Sequence, residues 1–381
     1  MTDSLLCAKI DAKIENNAHG SVTMFSNISV YAGKRARRII LERGLREDDI
    51  AGLIGASGGP KFLVLAGLDR YIFSNWFKKR REPLDILGSS IGAWRGAAFA
   101  CEDPAAKHEL FVNAYLSQHY DKKPSAADVT AESIRIMDMY IQAPDVDYIL
   151  NRSKMRLHII SARCSGLSAS DNNALLTASF APAVLLNLAS RNALLGIFGR
   201  TMFYDTRSSS NFRSIAAPQS RVALTAENIR GAILSSGSIP LVMEGISSIP
   251  GAPEGTYRDG GLTDYHPVPV REHGGILLYP HFTERIVPGW LDKGLPWRKP
   301  SRDSLADILL IAPSKKFIQS LPYGKIPDRT DFKKFEGNDS ERLRYWNEVI
   351  KKSSVMGEEF MEAAAGNRIK EIMMDAETLG N

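Results

Sequence analysis

The chain has 381 residues, of which 44% are hydrophobic and 24% charged, the profile of a globular protein with enough apolar material for one large core or two ordinary ones. Its formal charge of +5 is spread over that length, too weak a bias to indicate a nucleic-acid partner. No run reaches the roughly 18 uninterrupted apolar residues of a membrane span, and the three cysteines, Cys7, Cys101 and Cys164, form neither a disulfide framework nor a Cys-x-x-Cys metal pair.

In chain order, Met1 to Ala18 lacks the basic, apolar and small-residue succession of a signal peptide. With the sparse cysteines this gives a cytoplasmic expectation, and it leaves peripheral contact with a membrane open. Arg35-Ala36-Arg37-Arg38 reads as a solvated helix face, with a patch for anionic headgroups as the alternative. Ile50 to Ile54 is an expected strand. It runs into Gly55-Ala56-Ser57-Gly58-Gly59-Pro60-Lys61, and Pro60 suits the first position of the helix expected over Phe62 to Phe77. A second strand, Leu84 to Leu87, meets Gly88-Ser89-Ser90-Ile91-Gly92 and a helix to about Cys101. Strand, loop, helix repeated twice predicts a parallel α/β sheet with both loops at carboxyl strand ends, where such folds place their sites.

Residues 103–150 read as helical, and Leu157 to Ala162 as a buried strand. Asn172 to Phe198 is the most apolar long stretch, interrupted by Pro182, Asn187, Arg191 and Asn192. Buried helices are expected there, with a mobile cap over an acyl-binding cleft as the alternative. Val222–Thr225 precedes a helix expected at Ala226–Ser235; further strands are expected at Gly275–Pro280 and Ile308–Pro313, a loop over 284–304, and amphipathic helices from Ser340 to Glu377. The expected organisation is an N-terminal extension (1–48), a central domain (49–280) with helical or cap insertions at about 103–150 and 172–215, and a C-terminal extension (281–381).

Gly-x-Ser-x-Gly occurs twice, around Ser57 and around Ser90. After Ser57 come two glycines, a proline and a lysine, which suit a cradle of backbone N–H groups for an oxyanion or phosphate. After Ser90 come Ile91 on an immediate helix and the small Gly92 and Ala93, which suit a tight turn that thrusts the serine Oγ outward. Ser90 is therefore the expected nucleophile, Gly58 and Gly59 the oxyanion donors, and the Ile91 amide a second donor. A serine needs a base. Among the histidines His266 is the best placed, with His158 in an expected core strand and His281 at a strand end. Asp259, at a strand end before Gly260 and Gly261, is the better candidate.

Together these residues resemble the patatin-like phospholipase family. Ser57-Gly58-Gly59-Pro60-Lys61 is similar to its glycine-rich oxyanion loop, residues 88–92 to its serine turn, and Asp259-Gly260-Gly261 to its Asp-Gly-Gly motif, with Asp264 to Val268 as the sequel. Ile233 to Pro240 resembles the small-residue, proline-ended segment before the aspartate. The resemblance covers about residues 50–275. It implies a three-layer α/β/α sandwich with a mainly parallel sheet, a Ser90–Asp259 dyad without a catalytic histidine, and oxyanion amides at Gly58 and Gly59 with Lys61 nearby. It implies hydrolysis of lipid or small acyl esters through an acyl-serine, with no metal or other cofactor. The chain departs from the family at Ser57 and Phe62, where glycines are usual, and at Pro60, where a small residue is common. These departures keep a catalytically silent lipid- or partner-binding protein, and a lipid acyltransferase, as alternatives. A nucleotide phosphate cradle is the weakest reading, since the Gly-Lys-Ser/Thr ending of a P-loop is absent.

Overall fold

The computed structural model describes residues 25–120, 122–208, 212–213, 219–271 and 274–379. Cys7, the Met1–Ala18 segment and the first half of the expected 1–48 extension lie outside them. The chain forms an α/β fold around a mixed, mostly parallel sheet of 11 strands. The elements used below are β1 (Ile28–Ala32), α1 (Lys34–Arg43), β2 (Ile50–Gly55), α2 (Ala66–Tyr71), β3 (Leu84–Ser89), α3 (Ile91–Phe99), α4 (Pro104–Leu116), α5 (Ala126–Tyr140), β4 (Met155–Cys164), α6 (Asn173–Ala189), β5 (Phe198–Tyr204), β6 (Ser220–Ala223), α7 (Ile229–Ser236), β7 (Ile246–Ser247), β8 (Thr256–Asp259), β9 (Ile276–Pro280), β10 (Ile308–Pro313), α8 (Asp339–Ala365) and β11 (Met373–Asp375).

The sheet runs β11-β1-β10-β9-β2-β3-β4-β5-β6, with β8 paired to β4 and β7 to β8. Its centre, β10-β9-β2-β3-β4, is parallel. Both faces of these strands are covered, which is why they read as continuous apolar runs rather than alternating ones. Helices supply the outer layers of an α/β/α sandwich.

The expected boundaries at 48 and 280 do not coincide with a break in the sheet. β1 pairs antiparallel with β10, and β11 pairs with β1. The long α8 buries Trp346, Val349, Met356, Phe360 and Ala363 in the same core as the central strands. It approaches α2 so closely that a Cβ on Gly67 would lie 2.3 Å from the Ser353 backbone, and the Gly67 amide donates to Ser353 Oγ at 2.8 Å.

Three local expectations change. The helix expected over Phe62–Phe77 is a succession of 3-10, α and π turns, Gly59–Leu65, Ala66–Tyr71 and Ile72–Trp76. Within Arg35–Arg38, Arg35 makes a two-pronged pair with Asp307 at 2.7 and 2.6 Å and Arg37 caps the Met373 carbonyl, so two of its three arginines tie α1 to its surroundings. The apolar 172–198 stretch is not a buried helix. In α6 the buried positions are Leu176, Ser179, Ala183 and Asn187, one narrow stripe at helical spacing. Leu175, Val184, Leu185, Leu186 and Leu188 face outward, Leu185 with 68% of its surface accessible.

Candidate functional site

The two Gly-x-Ser-x-Gly stretches end neighbouring strands, and their first glycines, Gly55 and Gly88, are register partners. Behind them, Gly55 meets Gly92: a Cβ on Gly92 would lie 2.2 Å from the Gly55 carbonyl oxygen. Glycine at both positions lets the start of α3 pack directly on β2, and the two loops open side by side.

The backbone separates the two serines. Ser90 has φ 54° and ψ −131°, a strained conformation for a residue with a side chain. Ser57 is not among the residues of positive φ. The strain at Ser90 is held by its surroundings: its amide donates to Ser236 Oγ at 2.9 Å, and Ser236 Oγ in turn donates to the Ile160 carbonyl at 2.6 Å. Ser90 is only 3% exposed, yet it lines a cleft of about 260 Å³.

Asp259 reaches the same point from β8. Its strand pairs with β4, Asp259 opposite Ser161, while Ile160 one residue earlier is opposite Ser89. β5 takes the other edge of β4 along these residues, so β8 continues the edge that β3 leaves at Ser89, and Asp259 meets Ser90 where β3 ends. Ser90 Oγ donates to Asp259 Oδ2 at 2.6 Å, and Asp259 Oδ1 accepts from the Gly261 amide at 2.7 Å. The Asp-Gly-Gly sequence has a packing reason here. A Cβ on Gly260 would fall 2.1 Å from the Ile160 carbonyl oxygen, so a larger residue would push Asp259 away from Ser90. Burial raises the Asp259 pKa above the usual carboxylate value, against the opposing pull of Arg329, the Ser90 hydroxyl, the Gly261 amide and Lys293.

The histidines are engaged elsewhere. His266 Nδ1 accepts from the Val287 amide at 2.9 Å, His281 Nδ1 lies 2.6 Å from the Thr283 carbonyl, and His158 Nε2 is 3.2 Å from Asp85. Burial holds His266 well below its ordinary pKa and His281 at about 3, so both are neutral across the physiological range.

Gly58 and Lys61 line the cleft with Ser90 and Asp259, and Gly59 adjoins them with φ 57°. Gly58 precedes the first helical turn, Gly59 opens it, and Ile91 opens α3, positions whose N–H groups have no partner within the helix. No loop or turn hydrogen bond occupies these three amides among the described residues. Ser57 differs: its amide donates to the Tyr265 carbonyl at 2.9 Å, and its hydroxyl to Ser89 Oγ at 3.1 Å. Asp264, in the motif's sequel, is committed to Arg200 at 2.5 and 3.0 Å. Ile233 to Pro240 proves central. Besides Ser236, it supplies the Ser238 carbonyl that accepts from the Asp259 amide at 2.8 Å, so one segment holds both Ser90 and Asp259.

Sequence reasoning misses the rest of the wall. The expected loop 284–304 contributes Trp290 and Lys293 from a short turn, and the C-terminal region contributes Asp328 and Arg329. The Arg329 guanidinium lies over the glycine loop: its Nε would be 3.0 Å from a Cβ on Gly59. Lys293 Nζ sits 3.9 Å above the Tyr265 ring and Lys61 Nζ 5.0 Å above that of Phe282. Lys293 is exposed as a residue, but its ammonium lies in the cleft. Lost hydration there, with Arg329 and Lys61 adding repulsion, pushes its pKa down to about 7. Only proximity in the fold marks these residues; their sequence surroundings carry no motif.

Among the described residues no group of three or more His, Cys, Asp or Glu side chains is placed to hold a metal ion, and no helix is long and apolar enough to cross a membrane. The chain matches no known family model and no curated protein, so the chemistry of the cleft is argued from its geometry.

Proposed function

We propose that the chain is a serine acyl hydrolase acting on acyl esters, through a Ser90–Asp259 dyad and an acyl-serine intermediate. The observation that carries the reading is the 2.6 Å hydrogen bond from the strained Ser90 hydroxyl to a buried carboxylate of raised pKa, beside three amides free of loop or turn bonds. In the acylation step Ser90 Oγ bonds to the ester carbonyl carbon as its proton passes to Asp259. The carbonyl oxygen gains the negative charge, and the amides of Gly58, Gly59 and Ile91 are available to receive it. The carbon–oxygen bond to the alcohol then breaks, and the alcohol leaves with the proton from Asp259. Water reverses the sequence: Asp259 takes its proton, its oxygen bonds to the acyl carbon, and Ser90 is released with its proton restored, freeing the carboxylic acid.

Esters of lipids fit the surroundings. Trp290 of the cleft wall meets Phe180 of α6 edge-on at 5.6 Å, and Val184 and Leu188, one and two turns further along the same side of that helix, are exposed. Such a surface suits acyl chains and peripheral contact with a lipid layer.

The test is a fluorophosphonate label with a soluble short-chain ester assay. Wild type and Ser57→Ala are expected to label and turn over, and Ser90→Ala to do neither. Labelling of Ser90→Ala at the wild-type rate overturns the assignment. The competing reading is a catalytically silent lipid-binding protein. Saturable vesicle binding without cleavage of any ester in a broad panel would decide for it.

A further inference from the structure

The cleft wall carries more positive charge than the proposed acyl transfer uses. Lys61 comes from the glycine loop, Lys293 from the turn Trp290–Gly294, and Arg329 from the C-terminal region. These are three segments far apart in sequence, and Lys293 and Arg329 fall outside the stretch that carries the serine and aspartate motifs. Among the described residues none of the three makes an ion pair. Of the two carboxylates in the wall, Asp328 is engaged by Lys325 at 3.1 Å and by the Thr330 amide and hydroxyl at 2.8 and 2.5 Å. Asp259 is engaged by Ser90 and Gly261. Three cations gathered without an ion-pair partner of their own, beside two carboxylates that are engaged by other groups, repel one another, a cost that an incoming anion reduces. Burial lowers the Lys61 pKa, and Arg329 and Lys325 lower it further against the opposing pull of Asp328.

We propose that Lys61, Lys293 and Arg329 form an anion subsite that makes the enzyme selective for acyl esters bearing an unmasked phosphate monoester, over choline-capped or uncharged esters. The inference rests on the serine hydrolase reading above. Arg329 lies against Gly59, so the subsite adjoins the place where the scissile carbonyl is held, and the phosphate is within a few bonds of the ester. Three separate donors match the three terminal oxygens of a phosphate monoester better than the two of a carboxylate. The same charges disfavour a quaternary ammonium group, so rejection of choline headgroups is built into the wall.

The experiment compares kcat/KM for monomeric dihexanoyl phosphatidate, dihexanoyl phosphocholine and dihexanoylglycerol. Wild type is expected to favour phosphatidate over both by at least about tenfold, the low end of what a charge-assisted hydrogen bond contributes. That preference is expected to collapse in Arg329→Ala and Lys293→Met and to survive largely in Arg329→Lys. Equal kcat/KM across the three esters, or a preference untouched by Arg329→Ala, overturns the proposal. Calorimetry with inorganic phosphate separates this failure from failure of the hydrolase reading. Ser90→Ala is expected to bind phosphate, and Ser90→Ala/Arg329→Ala to lose it. If wild type turns over no ester while Ser90→Ala binds phosphate, the hydrolase reading fails and takes the selectivity with it, but the anion subsite stands. If phosphate binds yet phosphatidate is not preferred, the subsite serves free phosphate and the substrate assignment falls. Absence of phosphate binding overturns the subsite itself.

Discussion

At the residue scale the cleft depends on Asp259 being both buried and ionisable. Its raised pKa makes it a stronger base than a free carboxylate, whose pKa is about 3.9. In the proposed mechanism the group must lose its proton to act, so kcat/KM is expected to fall as pH drops through that raised value, giving an acid limb above the ordinary aspartate range. Asp259→Asn is expected to lose about 10²–10⁴-fold in kcat/KM, the usual contribution of a general base. The stability effect has the opposite sign. A carboxylate whose pKa is higher in the folded chain binds more protons folded than unfolded, so stability falls as pH rises from the unfolded value through the folded one. Above that window Asp259→Asn removes the burden, and its Tm near pH 7 is expected to equal or exceed that of wild type. A variant that is inactive and also clearly less stable at pH 7 would contradict this account.

At the element scale the decisive contact is that of α3 on β2. A Cβ on Gly92 would lie 2.2 Å from the Gly55 carbonyl oxygen, and backbone cannot yield as a flexible side chain can. Gly92→Ala is expected to cost about 1–3 kcal/mol by overpacking, read from chemical denaturation, and to depress activity with it by displacing the Ser90 turn. The helix α6 gives the contrasting case. Leu176 is 1% exposed and Leu185 68%. Leu176→Ala is expected to cost about 2–5 kcal/mol, and Leu185→Asn to stay within about 0.5 kcal/mol of wild type. Equal losses at the two positions would mean that α6 is buried against something in solution.

At the scale of the whole molecule, the two halves of the candidate site differ in how they can be read. The paired Gly-x-Ser-x-Gly loops, the strand–turn–helix joints behind them and the Asp-Gly-Gly turn are legible in the amino-acid order, because turn chemistry and apolar periodicity are local properties. They single out Ser90, Asp259, Gly58, Gly59, Lys61 and Ile91 as candidates and point to a parallel α/β sheet. Order along the chain leaves Ser57 and Ser90 alike in pattern. Only the fold distinguishes them, since a backbone of positive φ at Ser90 is imposed by Ser236, 146 residues away, and its hydroxyl meets a carboxylate 169 residues away. The fold alone also turns leucines of α6 outward, because among the described residues that helix buries one narrow stripe, with Phe180 beside it packed on Phe198 and Trp290. Lys293 and Arg329 have no local signature at all. They join Lys61 because a surface turn and a C-terminal segment are carried to the mouth of the cleft by a sheet that takes in strands from both ends of the described chain. The sequence by itself thus determined which local turns could present a serine hydroxyl, a carboxylate and backbone donors. Tertiary structure decided which serine is strained against a carboxylate and how much positive charge stands beside it, because distances between segments far apart in sequence are set by long-range packing.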